Sequence, residues 1–122
     1  MPRNPAWSRN ELVLALDLYI REGMLDDKHP HVIELSRKLN LLSGSVQHPD
    51  VERFRNPNGV AMKLANFASI DPNHAGKALD NVARGDKEVW EEFANNREGL
   101  AREVASIQAQ LHAGALLPDE AK

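Results

Sequence analysis

Between Trp7 and Gly23 the sequence marks both ends of one helix, and no other stretch constrains the fold as tightly. Ser8 followed by Glu11 at the fourth position is a capping box, in which side chain and backbone satisfy each other's hydrogen bonds at a helix start. Leu12, Ala15, Leu16, Tyr19 and Ile20 then recur at helical spacing, and Gly23 supplies the stop. Val13, Leu14 and Leu18 widen the apolar stripe well beyond one face. A helix apolar on several sides belongs at the centre of a core, so the remaining elements must surround it.

Those elements also read as helices. Pro30 suits a first turn, with Val32, Leu35, Leu39 and Leu42 inward and Glu34, Arg37 and Lys38 in water. Residues 43–50 carry the turn chemistry of a surface loop. Phe54-Arg55-Asn56-Pro57-Asn58-Gly59 feeds a third helix with Val60, Leu64, Phe67 and Ala68 inside, and the wheel sets Lys63 and Asn66 together on a polar flank. Asp71-Pro72 ends it, because a residue before proline avoids the helical region. Residues 73–85 read as an ordered loop with a short helical turn. Asp86 is expected to cap a short helix over 87–94, with Val89, Trp90 and Phe93 inward. The last helix is expected from Arg97 to Ala113, striped by Leu100, Val104, Ile107 and Leu111 and broken at Gly114. No segment alternates with period two. The expectation is one all-α domain of four to five helices over 1–113, with an ordered loop carrying the binding site and a flexible tail over 114–122.

The chain's 122 residues leave room for one domain. The absence of cysteine excludes disulfides, a thiolate nucleophile and cysteine-based zinc sites. No apolar run approaches the ~20 residues of a membrane helix. The start MPRNPAWSRNEL lacks a signal-peptide core, so the expected location is the cytoplasm.

Catalytic candidates are few. Asp26-Asp27-Lys28-His29-Pro30-His31 gathers carboxylates and imidazoles, but its spacing fits no helical zinc pattern, and a loop preceding a helix cap accounts for it. Gly76-Lys77 resembles the end of a phosphate loop, yet Ala78 replaces the magnesium-holding Ser or Thr and no strand precedes it. Glu88, Glu91 and Glu92 read as a solvated face. No metal, cofactor or catalytic residue is expected, and the chain reads as a recognition module rather than an enzyme.

Net charge is −3, so the whole chain does not advertise a polyanion binder. Its distribution is uneven: Arg53, Arg55, Lys63, Lys77 and Arg84 face only Asp71 and Asp80 in the window 53–84, which therefore carries about +3. Within it, the helix start after Arg55 and Asn56 offers exposed amides to an anion. Arg55 suits a phosphate, Lys63 a phosphate or guanine, and Asn66 a base edge. Downstream, His74-Ala75-Gly76-Lys77-Ala78 is rich in small residues that let a ligand approach the backbone, which leaves a shallow apolar dent.

Taken together, PRNPAWSRNELVLALDLY, HPHVIELSRKLN, FRNPNGVAMKLANFASIDP and GDKEVWEEFANN resemble the bacterial DNA sulfur-binding domains attached to HNH-type restriction endonucleases of the McrA kind. FRNPNGV-x-x-KL-x-NF is the most specific stretch. The resemblance implies a helical domain that binds double-stranded DNA bearing phosphorothioate, where sulfur replaces a non-bridging phosphate oxygen. It implies an apolar cavity for the sulfur at His74, Ala75, Gly76 and Ala78, with His74 and Ala75 standing where the family pattern has tyrosine and proline. Arg55, Asn56, Lys63, Asn66, Lys77 and Arg84 would then hold phosphates and base edges, and a nuclease domain or subunit elsewhere would cut. Sulfur is larger, more polarisable and a poorer hydrogen-bond acceptor than oxygen, so an apolar dent favours it.

Two other readings compete. A reader of modified cytosine would need an aromatic pocket for an extruded base, drawn from Trp7, Tyr19, Phe54, Phe67, Trp90 and Phe93. A protein-interaction domain without DNA binding would use the Leu116-Leu117 tail.

Overall fold

The computed structural model describes residues 6–43, 54–73 and 82–115. Five helices occupy them: α1 Arg9–Glu22, α2 Pro30–Ser43, α3 Pro57–Ile70, α4 Arg84–Phe93 and α5 Arg97–Ala115. No strand is present among the described residues, and no helix among them is long and apolar enough to cross a membrane.

α1 is the hub and touches each of the other four. Its capping box forms: the Glu11 N–H donates to Ser8 Oγ at 3.3 Å and the Ser8 N–H donates to Glu11 Oε1 at 2.8 Å. Every residue from Leu12 to Leu16 is buried, as are Leu18 and Tyr19, which is what a stripe too broad for one face requires. Gly23 ends the helix at φ +78° and ψ −158°, a region essentially reserved for glycine.

α3 starts and stops where its sequence directs. Asn56 Oδ1 accepts the Gly59 N–H at 2.8 Å, Pro57 fills the first position, and the Asp71 N–H donates to the Phe67 carbonyl. Val60, Leu64 and Phe67 have no exposed surface, and with Leu16, Leu39 and Ile107 they form the centre of the core. At Gly85 a methyl group would come within 3.0 Å of Leu12 Cδ1, so glycine lets the first turn of α4 lie directly on α1.

Two boundaries depart from expectation. α4 begins at Arg84, not after Asp86, and its N-cap is Ala83. Asp86 is instead the third helical residue, whose Oδ2 reaches back to accept the Ala83 N–H at 3.1 Å. α5 passes through Gly114 to Ala115. A helical glycine costs about 1 kcal/mol relative to alanine, which a 19-residue helix docked by Leu100, Val104 and Ile107 absorbs.

Candidate nucleic-acid interface

Arg55 opens the site. It adopts φ +46°, and its carbonyl accepts the Ser36 hydroxyl at 2.6 Å, which ties the turn to α2. That turn sends the guanidinium inward, not to solvent. Nε donates to Glu11 Oε2 at 2.7 Å and Nη2 donates to Glu11 Oε1 at 2.9 Å, a bidentate pair in which both side chains are nearly fully buried. Nη2 also donates to the Ala6 carbonyl. The guanidinium lies 4.3 Å from the Phe54 ring centroid and 5.1 Å from that of Trp7.

Lys63 repeats the pattern one helix further on. Its Nζ donates to Asp86 Oδ1 at 2.9 Å and sits 5.2 Å from the same Trp7 ring. Asp86 has no exposed surface, and its Oδ2 accepts both Asn66 Nδ2 at 3.4 Å and the Ala83 N–H at 3.1 Å. An isolated buried carboxylate costs several kcal/mol, and these donors offset that cost.

The expected polar flank of α3 is therefore corrected. Lys63 stands three residues after Val60 and four before Phe67, on the buried stripe itself, and it faces Asp86. Asn66 is half-buried against the same carboxylate, and Asn56 spends its side chain on the cap. Arg55 and Lys63 are neutralised by Glu11 and Asp86, so the excess positive charge of the window 53–84 is largely cancelled at those positions. Arg84 does reach solvent: its side chain is 93% exposed, with Glu88 Oε2 at 3.4 Å. Lys87 stands exposed on the next turn, a cation to which the sequence assigns no role beyond its place in the helix. His74, Ala75, Gly76, Lys77 and Ala78, and the Leu116-Leu117 tail, lie outside the described residues.

The Asp26–His31 stretch forms the turn into α2: Asp26 Oδ1 accepts the Lys28 N–H and His29 Nδ1 accepts the His31 N–H. Among the described residues no three metal-ligating side chains gather.

No family model, curated protein or solved structure matches the chain.

One cleft borders the start of segment 74–81. Its volume is about 350 Å³, and Tyr19, Asp71, Asn73, Trp90, Asn95 and Arg97 line it. The Tyr19 hydroxyl donates to Asp71 Oδ2 at 2.8 Å, and the Asn73 N–H donates to Oδ1 at 2.8 Å. Burial, reinforced by the Asp71 carboxylate, pushes the Tyr19 phenol well above its ordinary range. Trp90 meets Tyr19 edge-on at 6.1 Å. Asn95 and Arg97 were missed by sequence reasoning, because the α4–α5 turn reads as ordinary helix punctuation.

Proposed function

We propose that this chain is a recognition module for phosphorothioate-bearing double-stranded DNA, with the sulfur received by segment 74–81. The observation that carries the reading is the way both flanks of that segment are pinned. On one side the Asn73 N–H is held by Asp71, and on the other the Ala83 N–H is held by the fully buried Asp86. Fixed stems at Asn73 and Ala83 reduce the ordering entropy that binding costs. The motif FRNPNGV-x-x-KL-x-NF supports the same reading, and its polar members take a new role. Arg55, Lys63 and Asn66 build the frame, while Lys77, Arg84 and Lys87 attract phosphate. Cleavage, in this reading, belongs to a separate nuclease domain or subunit.

Selectivity follows from desolvation. A phosphate oxygen pressed into an apolar dent loses water without replacement, at about 1–3 kcal/mol. That penalty corresponds to roughly ten- to a hundredfold preference for sulfur. The test is a titration with duplexes that differ by a single backbone sulfur. Tighter binding of the sulfur duplex by that factor is expected. Equal affinity overturns the sulfur reading, and no binding to either duplex at low salt overturns DNA binding altogether. Ala78→Asp is expected to abolish binding by placing charge where the sulfur sits.

A further inference from the structure

The cleft beside segment 74–81 has chemistry that sulfur recognition does not use. Its carboxylate is held on both oxygens, since Asp71 accepts from the Tyr19 hydroxyl through one and from the Asn73 N–H through the other. The Arg97 guanidinium, the Asn95 amide and the Trp90 indole N–H, by contrast, have no hydrogen-bond partner among the described residues. Among the described residues the cleft thus offers unused donors on Arg97, Asn95 and Trp90, a half-buried indole, and one carboxylate already engaged by two donors. That combination fits a planar, acceptor-rich ligand carrying negative charge.

Size narrows the class. A volume of about 350 Å³ is of the size that one nucleoside fills. Enzymes and readers that take a base out of its stack hold it against aromatic rings and hydrogen-bond its edge. We infer that this cleft receives one nucleotide of the bound DNA, its base lifted from the helix against the half-buried Trp90 indole and its phosphate held by Arg97. The inference rests on the DNA-binding reading and extends it, since Asn73, which lines the cleft, directly precedes the proposed sulfur-receiving segment in the sequence. The Asp71 carboxylate repels a phosphate, and the Arg97 guanidinium attracts it. The Asn95 amide can both donate to and accept from a base edge.

The experiment compares two duplexes carrying the same phosphorothioate, one fully paired and one with a single unpaired 2-aminopurine beside the sulfur. The unpaired base no longer has to be pulled from a pair, so the wild-type chain is expected to bind that duplex about tenfold more tightly. The 2-aminopurine fluorescence is expected to fall as the base stacks on the Trp90 indole. Arg97→Ala and Asn95→Ala alter exposed side chains and are expected to reduce the affinity ratio to twofold or less. Equal binding of the two duplexes by wild type overturns the cleft assignment while sulfur recognition stands. A tenfold ratio that survives in both variants overturns it too, because duplex flexibility alone would then account for the preference. Failure of either duplex to bind removes this inference together with the DNA reading.

Discussion

Two sets of ion pairs hold this molecule, and they differ in nearly everything except chemistry. On the surface, Arg9 Nη2 meets Glu92 Oε2 at 2.8 Å and Glu103 Oε1 at 3.1 Å, bridging α1 to α4 and α5 with side chains close to half exposed. Inside, Arg55 meets Glu11 and Lys63 meets Asp86 with at most a tenth of any side chain exposed. Water screens the first set, which leaves a contribution near zero. It is excluded from the second, where forming a pair roughly repays desolvation but breaking one strands a charge. Equal contacts on a map are therefore unequal in consequence: the buried pairs decide how α3 and α4 sit, and the surface pairs decorate the result.

The sharpest way to break this contrast is Asp86→Ala, which strands the Lys63 ammonium and the Ala83 N–H together. A loss of about 3–5 kcal/mol, read as a lower urea midpoint, is expected. Pairing Lys63→Met with Asp86→Leu removes both charges and is expected to recover most of that loss, short by about 1–3 kcal/mol for the unmet Ala83 N–H. A double variant as unstable as the single would show that the pair is attractive in its own right. Gly23→Ala adds a methyl group that meets no atom within 4 Å, so its expected cost of about 1–3 kcal/mol is backbone strain alone.

Tyr19 adds a pH arm. Its folded-state pKa is raised, so above the unfolded value of about 10 the unfolded chain releases a proton that the native chain retains. Stability is expected to be constant for this group below that pH and to fall as pH rises beyond it. Tyr19→Phe should flatten that decline while costing about 0.5–1.5 kcal/mol at neutral pH. Smallest of all, Arg9→Ala is expected to cost about 0.2–1 kcal/mol in denaturant titration, and less in high salt. A larger effect would erase the distinction between the two sets.

Local signals in the sequence placed the helices. Ser8 with Glu11, Asn56 with Pro57, and Asp71 before Pro72 each act within a few residues, so their hydrogen bonds are decided by neighbours. The candidate site was harder to read because its partners are distant: Glu11 lies 44 residues from Arg55 and Lys63 lies 23 from Asp86. A cation near a helix start looks the same whether it faces phosphate or an inward carboxylate. One clue was available, since Lys63 falls on the period shared by Val60 and Phe67. Arg55 gave no such clue, because the turn at φ +46° that aims it inward is not a preference of arginine. Asp86 misled for a related reason: as the third helical residue it bonds the backbone much as a cap would, and it serves Lys63 at the same time.

That double service ties the order of assembly together. Asp86 is fully satisfied only when Lys63 and Asn66 from α3 join the Ala83 amide at the start of its own helix, so a partly docked α4 would bring an under-paired carboxylate into an apolar setting. The two helices consequently open as one cooperative unit, joined by the Lys63–Asp86 pair.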